Sequence, residues 1–184
     1  MPNLADIAEP FPGQLVAQVG VATMPVPWAC HNATLAWLYH AEFGRAVTGL
    51  EFGSFFLGAQ AIMGEMAKEG MTLAAPSGGG QIFVPAGTVL IFVRDGGAKH
   101  SCVMKANNLI VGYNQQGWLA GKGGDHSFSM HSTKEIRWQG GGSVLGSADQ
   151  VCSLVAVPEA VARRKVREVV TRAAAPVAVG GVGG

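Results

Sequence analysis

Thr88-Val89-Leu90-Ile91-Phe92-Val93, His100-Ser101-Cys102-Val103-Met104-Lys105 and Leu109-Ile110-Val111-Gly112-Tyr113-Asn114 are three apolar runs rich in β-branched residues, separated by Asp95-Gly96-Gly97 and Ala106-Asn107-Asn108. Short runs of this kind between Gly, Asn and Asp clusters predict strands joined by tight turns, an antiparallel meander. Residues 81–84, 127–130, 135–138 and 151–157 extend the same texture. Upstream, Ala33, Trp37, Leu38 and Ala41 recur at helical spacing over residues 29–43, and Gly44 supplies a stop. A second helix is expected over residues 54–69, capped by Ser54 and ended by Gly70. Pro158 opens a last helix over 159–173. Helices, then hairpin-linked strands, with no βαβ alternation, predict an α+β fold with N-terminal helices packed on an antiparallel sheet.

The 184 residues suit one domain, placed at residues 1–173, followed by a small-residue tail at 174–184 that is expected to be flexible. A short apolar piece at 15–22 reads as an edge strand or a packed arm. The formal net charge of +1 provides no field that favours nucleic acid, and no apolar run is long enough to span a bilayer. Cys30, Cys102 and Cys152 form no C-x-x-C pair, and three thiols cannot all be bridged within the chain. Met1-Pro2-Asn3-Leu4-Ala5-Asp6 lacks the basic and apolar regions of a secretory signal. The expectation is a protein cytoplasmic in the producing cell, or exported by a route that needs no signal peptide.

Chemistry concentrates on Cys30. A thiol at a helix start meets unpaired N–H groups and the positive end of the helix dipole, which favour its thiolate. A thiol-dependent hydrolase also needs an imidazole base and a polar group that orients it. His100 opens a strand, and Asn114 closes the next one. A two-residue turn at Asn107-Asn108 sets His100 opposite Gln115, whereas an odd loop or a bulge at Gly112 sets it opposite Asn114. Asn114 is preferred, with Gln115 in reserve and Asp125 as another candidate orienter. Cys102 and Cys152, inside apolar strands, read as core.

The remaining signals read as structure. His31, His40, His126 and His131 lack the spacings that preorganise zinc, so packed or solvated histidines are expected and no metal or other cofactor is assigned. Gly121-Lys122-Gly123-Gly124 and Gly140-Gly141-Gly142 lack the context of a phosphate loop and read as turns. Arg163, Arg164, Lys165, Arg167 and Arg172 on the last helix read as a solvated face rather than a partner or membrane contact.

Taken with Cys30 at a helix start, the order Pro85-Ala86-Gly87-Thr88-Val89-Leu90-Ile91-Phe92, then His100-Ser101-Cys102-Val103-Met104, resembles the NlpC/P60 and papain-like cysteine hydrolases. The similarity covers roughly residues 28–114. It implies a papain-like fold with Cys30 as nucleophile, His100 as base and Asn114 as orienter. The implied activity is a cysteine-dependent amide hydrolase, and a bacterial effector acting on peptidoglycan peptide or on a target-cell protein fits the class. Deamidation or transamidation of a host protein such as a small GTPase is the alternative chemistry, and a non-catalytic binding module the alternative role. An effector of this class would bring an immunity or secretion-adaptor partner. Three positions depart from the pattern: Thr88 stands where an acidic residue is usual, His31 where a small one is common, and no glutamine lies just upstream of Cys30.

Overall fold

The computed structural model describes residues 15–19, 22–26, 29–45, 58–77, 81–114, 118 and 127–174. A hairpin of β1 (Leu15–Val19) and β2 (Ala22–Val26) forms a sheet of its own. Helix α1 (Cys30–Phe43) and helix α2 (Ala59–Ala67) follow. The strands are β3 (Met71–Thr72), β4 (Val89–Arg94), β5 (Gly97–Ala106), β6 (Leu109–Asn114), β7 (Ser127–Ser132), β8 (Arg137–Trp138), β9 (Ser143–Leu145) and β10 (Val151–Val157). Helix α3 (Glu159–Ala174) comes last. The larger sheet is antiparallel and runs β7-β6-β5-β4-β10-β9-β8, with β3 alongside β10. The chain is therefore α+β, with the meander expected over β4 to β6.

Local chemistry sets the turns. Asp95 and Gly96, at φ 52° and 71°, join β4 to β5 with the two left-handed residues that match strand twist in a two-residue hairpin. Asn108, at φ 61°, turns β5 into β6. Gly44 ends α1 at φ 67°, its N–H donating to the His40 carbonyl. Gly140–Gly142 is a turn between β8 and β9, closed by Gln139 N–H on the Ser143 carbonyl.

The elements differ from expectation in several places. Residues 81–84 enter no ladder, and Ser132–Glu135 forms a capping box over a single 3₁₀ turn, which shortens the expected strand at 135–138 to Arg137–Trp138. The pairs Met71–Thr72 and Ser143–Leu145 are too short to show a period. Ser54 and the tail at 175–184 lie outside the described residues.

Each face of the sheet carries its own core. On one, Val89, Ile91, Val103, Val111, Val155 and Val157 meet α1, α2 and α3. On the other, Leu90, Phe92, Cys102, Met104, Ile110 and Leu154 gather with Trp118, Ile136 and Val144 beneath the curl of the sheet. Helix α1 is enclosed far beyond the stripe its spacing predicted, with 12 of its 14 residues buried, His31, Asn32 and Thr34 among them. Polar groups so enclosed require partners, and His31 and Thr34 share theirs, Ser101 of β5.

The helical face is closed by charge. Glu42, buried near the end of α1, accepts Arg163 Nε at 2.8 Å and also pairs with Arg167. Glu69 pairs with Arg164 and Lys165. The basic face of α3, expected to be solvated, is so in part: Arg164, Arg167 and Arg172 are exposed, while ion pairs from Arg163 and Arg167 to Glu42 and from Arg164 and Lys165 to Glu69 tie the helix to α1 and to the residues after α2.

Candidate functional site

Helix α1 begins at Cys30 after Ala29, whose extended backbone supplies no side-chain cap. The thiol is buried at 4% exposure, and the backbone N–H groups of Ser101, His31 and Cys30 itself are directed at the sulfur. Burial pushes the Cys30 thiol up from its ordinary value, and these donors offset only part of that rise. The helix start thus supplies the expected donors, while enclosure works against the thiolate they favour.

Opposite the first turn of α1 stands Ser101 on β5. Its Oγ lies 3.0 Å from Thr34 Oγ1, 2.9 Å from His31 Nδ1 and 3.4 Å from the Cys30 carbonyl, to which Thr34 Oγ1 donates at 3.0 Å. The His31 ring also meets the Ala98 carbonyl, but burial dominates and pulls its pKa down to about 4. It is a neutral imidazole at pH 7.

His100 points the other way. Its ring stacks on Trp118 with centroids 5.0 Å apart and planes 13° from parallel, and meets Phe92 at 5.4 Å. Phe92 and Trp118 belong to the core beneath the curl, whereas the adjacent Ser101 faces α1. The structure therefore places the His100 ring in the core beneath the curl and the Ser101 hydroxyl under α1, while the Cys30 thiol reaches the β5 backbone between them, near enough to Cys102 to raise that thiol. A bulge explains this. Val93 pairs with Ala98 and Phe92 with His100, so Lys99 is an extra residue, and Ala98 and Ser101 both face the helices. Without that insertion, alternation would have put Ala98 and His100 on one face. Space points the same way, because the close approach of the Cys30 carbonyl to β5 admits a hydroxyl more readily than an imidazole.

The hairpin from β5 to β6 also carries a register shift, between Met104 and Ala106. Counting on from the pair Val103↔Val111 brings Asn114 to the position across from His100. A Cβ on Gly112 would lie 3.0 Å from Cys102 Cβ, which agrees with that register. Gln115 and Asp125 lie outside the described residues.

The other candidates are structural where described. Cys102 is fully buried, its thiol raised by burial and further by Cys30, and burial likewise raises Cys152. His131 Nδ1 lies 3.0 Å from Glu135 Oε2. Among the described residues, no group of three or more His, Cys, Asp or Glu is placed to hold a metal ion, and no helix is long and apolar enough to cross a membrane. Thr88 is buried in the strand-leading turn, its N–H on the Pro85 carbonyl at 3.2 Å. Sequence reasoning passed over Thr34 and Ser101 and took His31 as a packed residue. The available signal was a serine in an apolar strand, a small hydroxyl suited to a helix crossing close by.

Compared with known protein families, with curated proteins and with solved structures, the chain matches none.

Proposed function

We propose that the chain is a cysteine-dependent amide hydrolase acting through a thioester on Cys30. The observation that carries this reading is the seat of the sulfur, at the head of α1 with three backbone N–H groups directed at it. Such donors stabilise negative charge on the sulfur, and one of them, the Cys30 N–H, sits where acyl-transfer enzymes draw an oxyanion donor. His31, on the thiol's own helix, holds an imidazole against Ser101 that is neutral at pH 7.

A thiol held above its ordinary value and an imidazole pulled down to about 4 both disfavour a thiolate–imidazolium pair. Deprotonation would therefore accompany attack rather than precede it. The sulfur–carbon bond forms as the thiol proton passes to base, the carbon–nitrogen bond breaks with that proton leaving on the amine, and water then cleaves the thioester. Substrates of this chemistry are peptide, peptidoglycan-peptide or glutamine side-chain amides, the last giving the deamidase or transglutaminase variant.

The test is the full chain incubated with p-nitrophenyl acetate, then with peptidoglycan and casein. An acetyl adduct on Cys30, together with cleavage or ammonia release that is absent in Cys30→Ala, is the expected result. Turnover that survives Cys30→Ala, or no adduct at Cys30, overturns the proposal.

A second reading, a non-catalytic binding module on the same fold, is favoured by one observation: the thiol is enclosed and raised by burial, and the His100 ring is stacked on Trp118. Iodoacetamide separates the two. Alkylation of Cys30 at neutral pH no faster than a model thiol, with no acyl adduct, supports the module.

A further inference from the structure

The polar groups at the head of α1 have no packing reason to be there. Thr34 and Ser101 are fully buried and His31 nearly so, yet all three face the core shared by the helices and the sheet. They form one connected set: His31 Nδ1 to Ser101 Oγ, Ser101 Oγ to Thr34 Oγ1, and Thr34 Oγ1 to the Cys30 carbonyl. Ser101 joins this set through its side chain and meets the Cys30 sulfur through its backbone N–H. Buried hydroxyls linked in this way fix geometry, because each bond is strong in a dry setting and costly to leave unmade.

We infer that Ser101, braced by Thr34 and His31, is a positioning residue that holds its own backbone N–H on the Cys30 sulfur and so sets the reactivity of that thiol. The inference takes Cys30 as the reactive thiol of the proposed hydrolase. The bulge at Lys99 belongs to this device, since the extra residue is what brings Ser101 under α1. Strand β5 thereby serves as a donor to the thiol.

Among the described residues, the titratable groups around this set are His31 from α1 and, flanking Ser101 on β5, His100 and Cys102. His31 has lost its proton well below the range in which a thiol is alkylated, and Cys102 is raised out of it. A pH profile of Cys30 alkylation measured in a His100→Phe background therefore reports Cys30.

The experiment is iodoacetamide alkylation of the intact chain at a series of pH values, with Cys30 followed by peptide mass, in wild type, in His100→Phe, and in His100→Phe carrying Ser101→Ala, Ser101→Thr or Thr34→Val. Ser101→Ala is expected to move the profile to higher pH by about one unit, a roughly tenfold slower reaction at pH 8. Ser101→Thr, which returns the hydroxyl, restores it. Thr34→Val moves it the same way and carries the comparison should Ser101→Ala not fold. A Ser101→Ala protein that is less stable but has an unmoved profile has lost only a structural bond, and the inference fails. A profile moved to lower pH, or no restoration by Ser101→Thr, also overturns it. A shifted profile in a protein that forms no acyl adduct would retain the positioning role and reject the hydrolase.

Discussion

Acidification from pH 7.5 to 5 should destabilise the fold through His31 alone by about 2 kcal/mol, of a full effect of about 3 kcal/mol, given a folded pKa of about 4 and an ordinary one near 6.5. Burial depresses the folded value, so between these pH values the unfolded chain binds a proton that the folded chain refuses. Stability from this group is complete above about pH 6.5 and is lost as pH falls toward 4. Because His31 is only 8% exposed, solvent screening does not reduce the figure much. The assay is urea unfolding followed by tryptophan fluorescence at pH 7.5, 6, 5 and 4.5, for wild type and for His31→Asn. The variant keeps a group able to bond Ser101 but does not titrate. Its stability should fall less steeply, with the two curves converging by about 2 kcal/mol at pH 5. Carboxylates and the other histidines titrate in both proteins and cancel in the difference. Curves that stay parallel to within about 0.5 kcal/mol, the ordinary spread for an independent site, would refute a buried neutral His31.

His100→Phe should leave the alkylation rate of Cys30 unchanged, since the ring is taken up in stacking on Trp118 and packing on Phe92; a marked fall would show that the imidazole serves the thiol. Gly87→Ala should cost about 1–3 kcal/mol in urea unfolding, because φ is +86° and the new Cβ would come within 2.9 Å of the Glu159 carboxyl carbon; a neutral result would argue against that turn. Glu42→Gln should lower stability by about 2 kcal/mol, below the range for wholly buried pairs because Arg167 is half-exposed, and an unchanged midpoint would argue against the docking of α3. In native protein Cys102 should resist a thiol reagent that modifies all three cysteines in urea, and rapid native labelling would contradict its enclosure.

Periodicity and turn chemistry made the scaffold readable. Asp95-Gly96 and Asn107-Asn108 announce their hairpins, and Gly44 and Pro158 bound their helices, because each meets a local backbone requirement that neighbours in sequence express. The thiol at the head of α1 was readable on the same ground. What the sequence does not announce is the bulge in β5. Alternation predicts faces only while the ladder is regular, and a single extra residue at Lys99 transfers every later side chain to the other side. That insertion answers to the approach of α1 over Ser101, a contact between residues 67 to 71 positions apart. The ion pairs of α3 escaped for a related reason: Glu42 and Glu69 sit far from their arginines in sequence, so the basic helix looked solvated.

Glu42 also orders events in time. Its two guanidinium partners lie 121 and 125 residues further along the chain. A ribosome has therefore threaded the first helix and the whole larger sheet before either counter-charge exists. Until then α1 carries, near one end, a carboxylate that resists dehydration, and the apolar groove it must occupy stays open to water. A domain that depends on a later-made segment completes its packing only once that segment has left the ribosome. A chain cut short of Arg163 would hold the same strands and the same thiol with an anion it cannot bury, and it would be exposed to proteolysis at the head of the pathway rather than at its end.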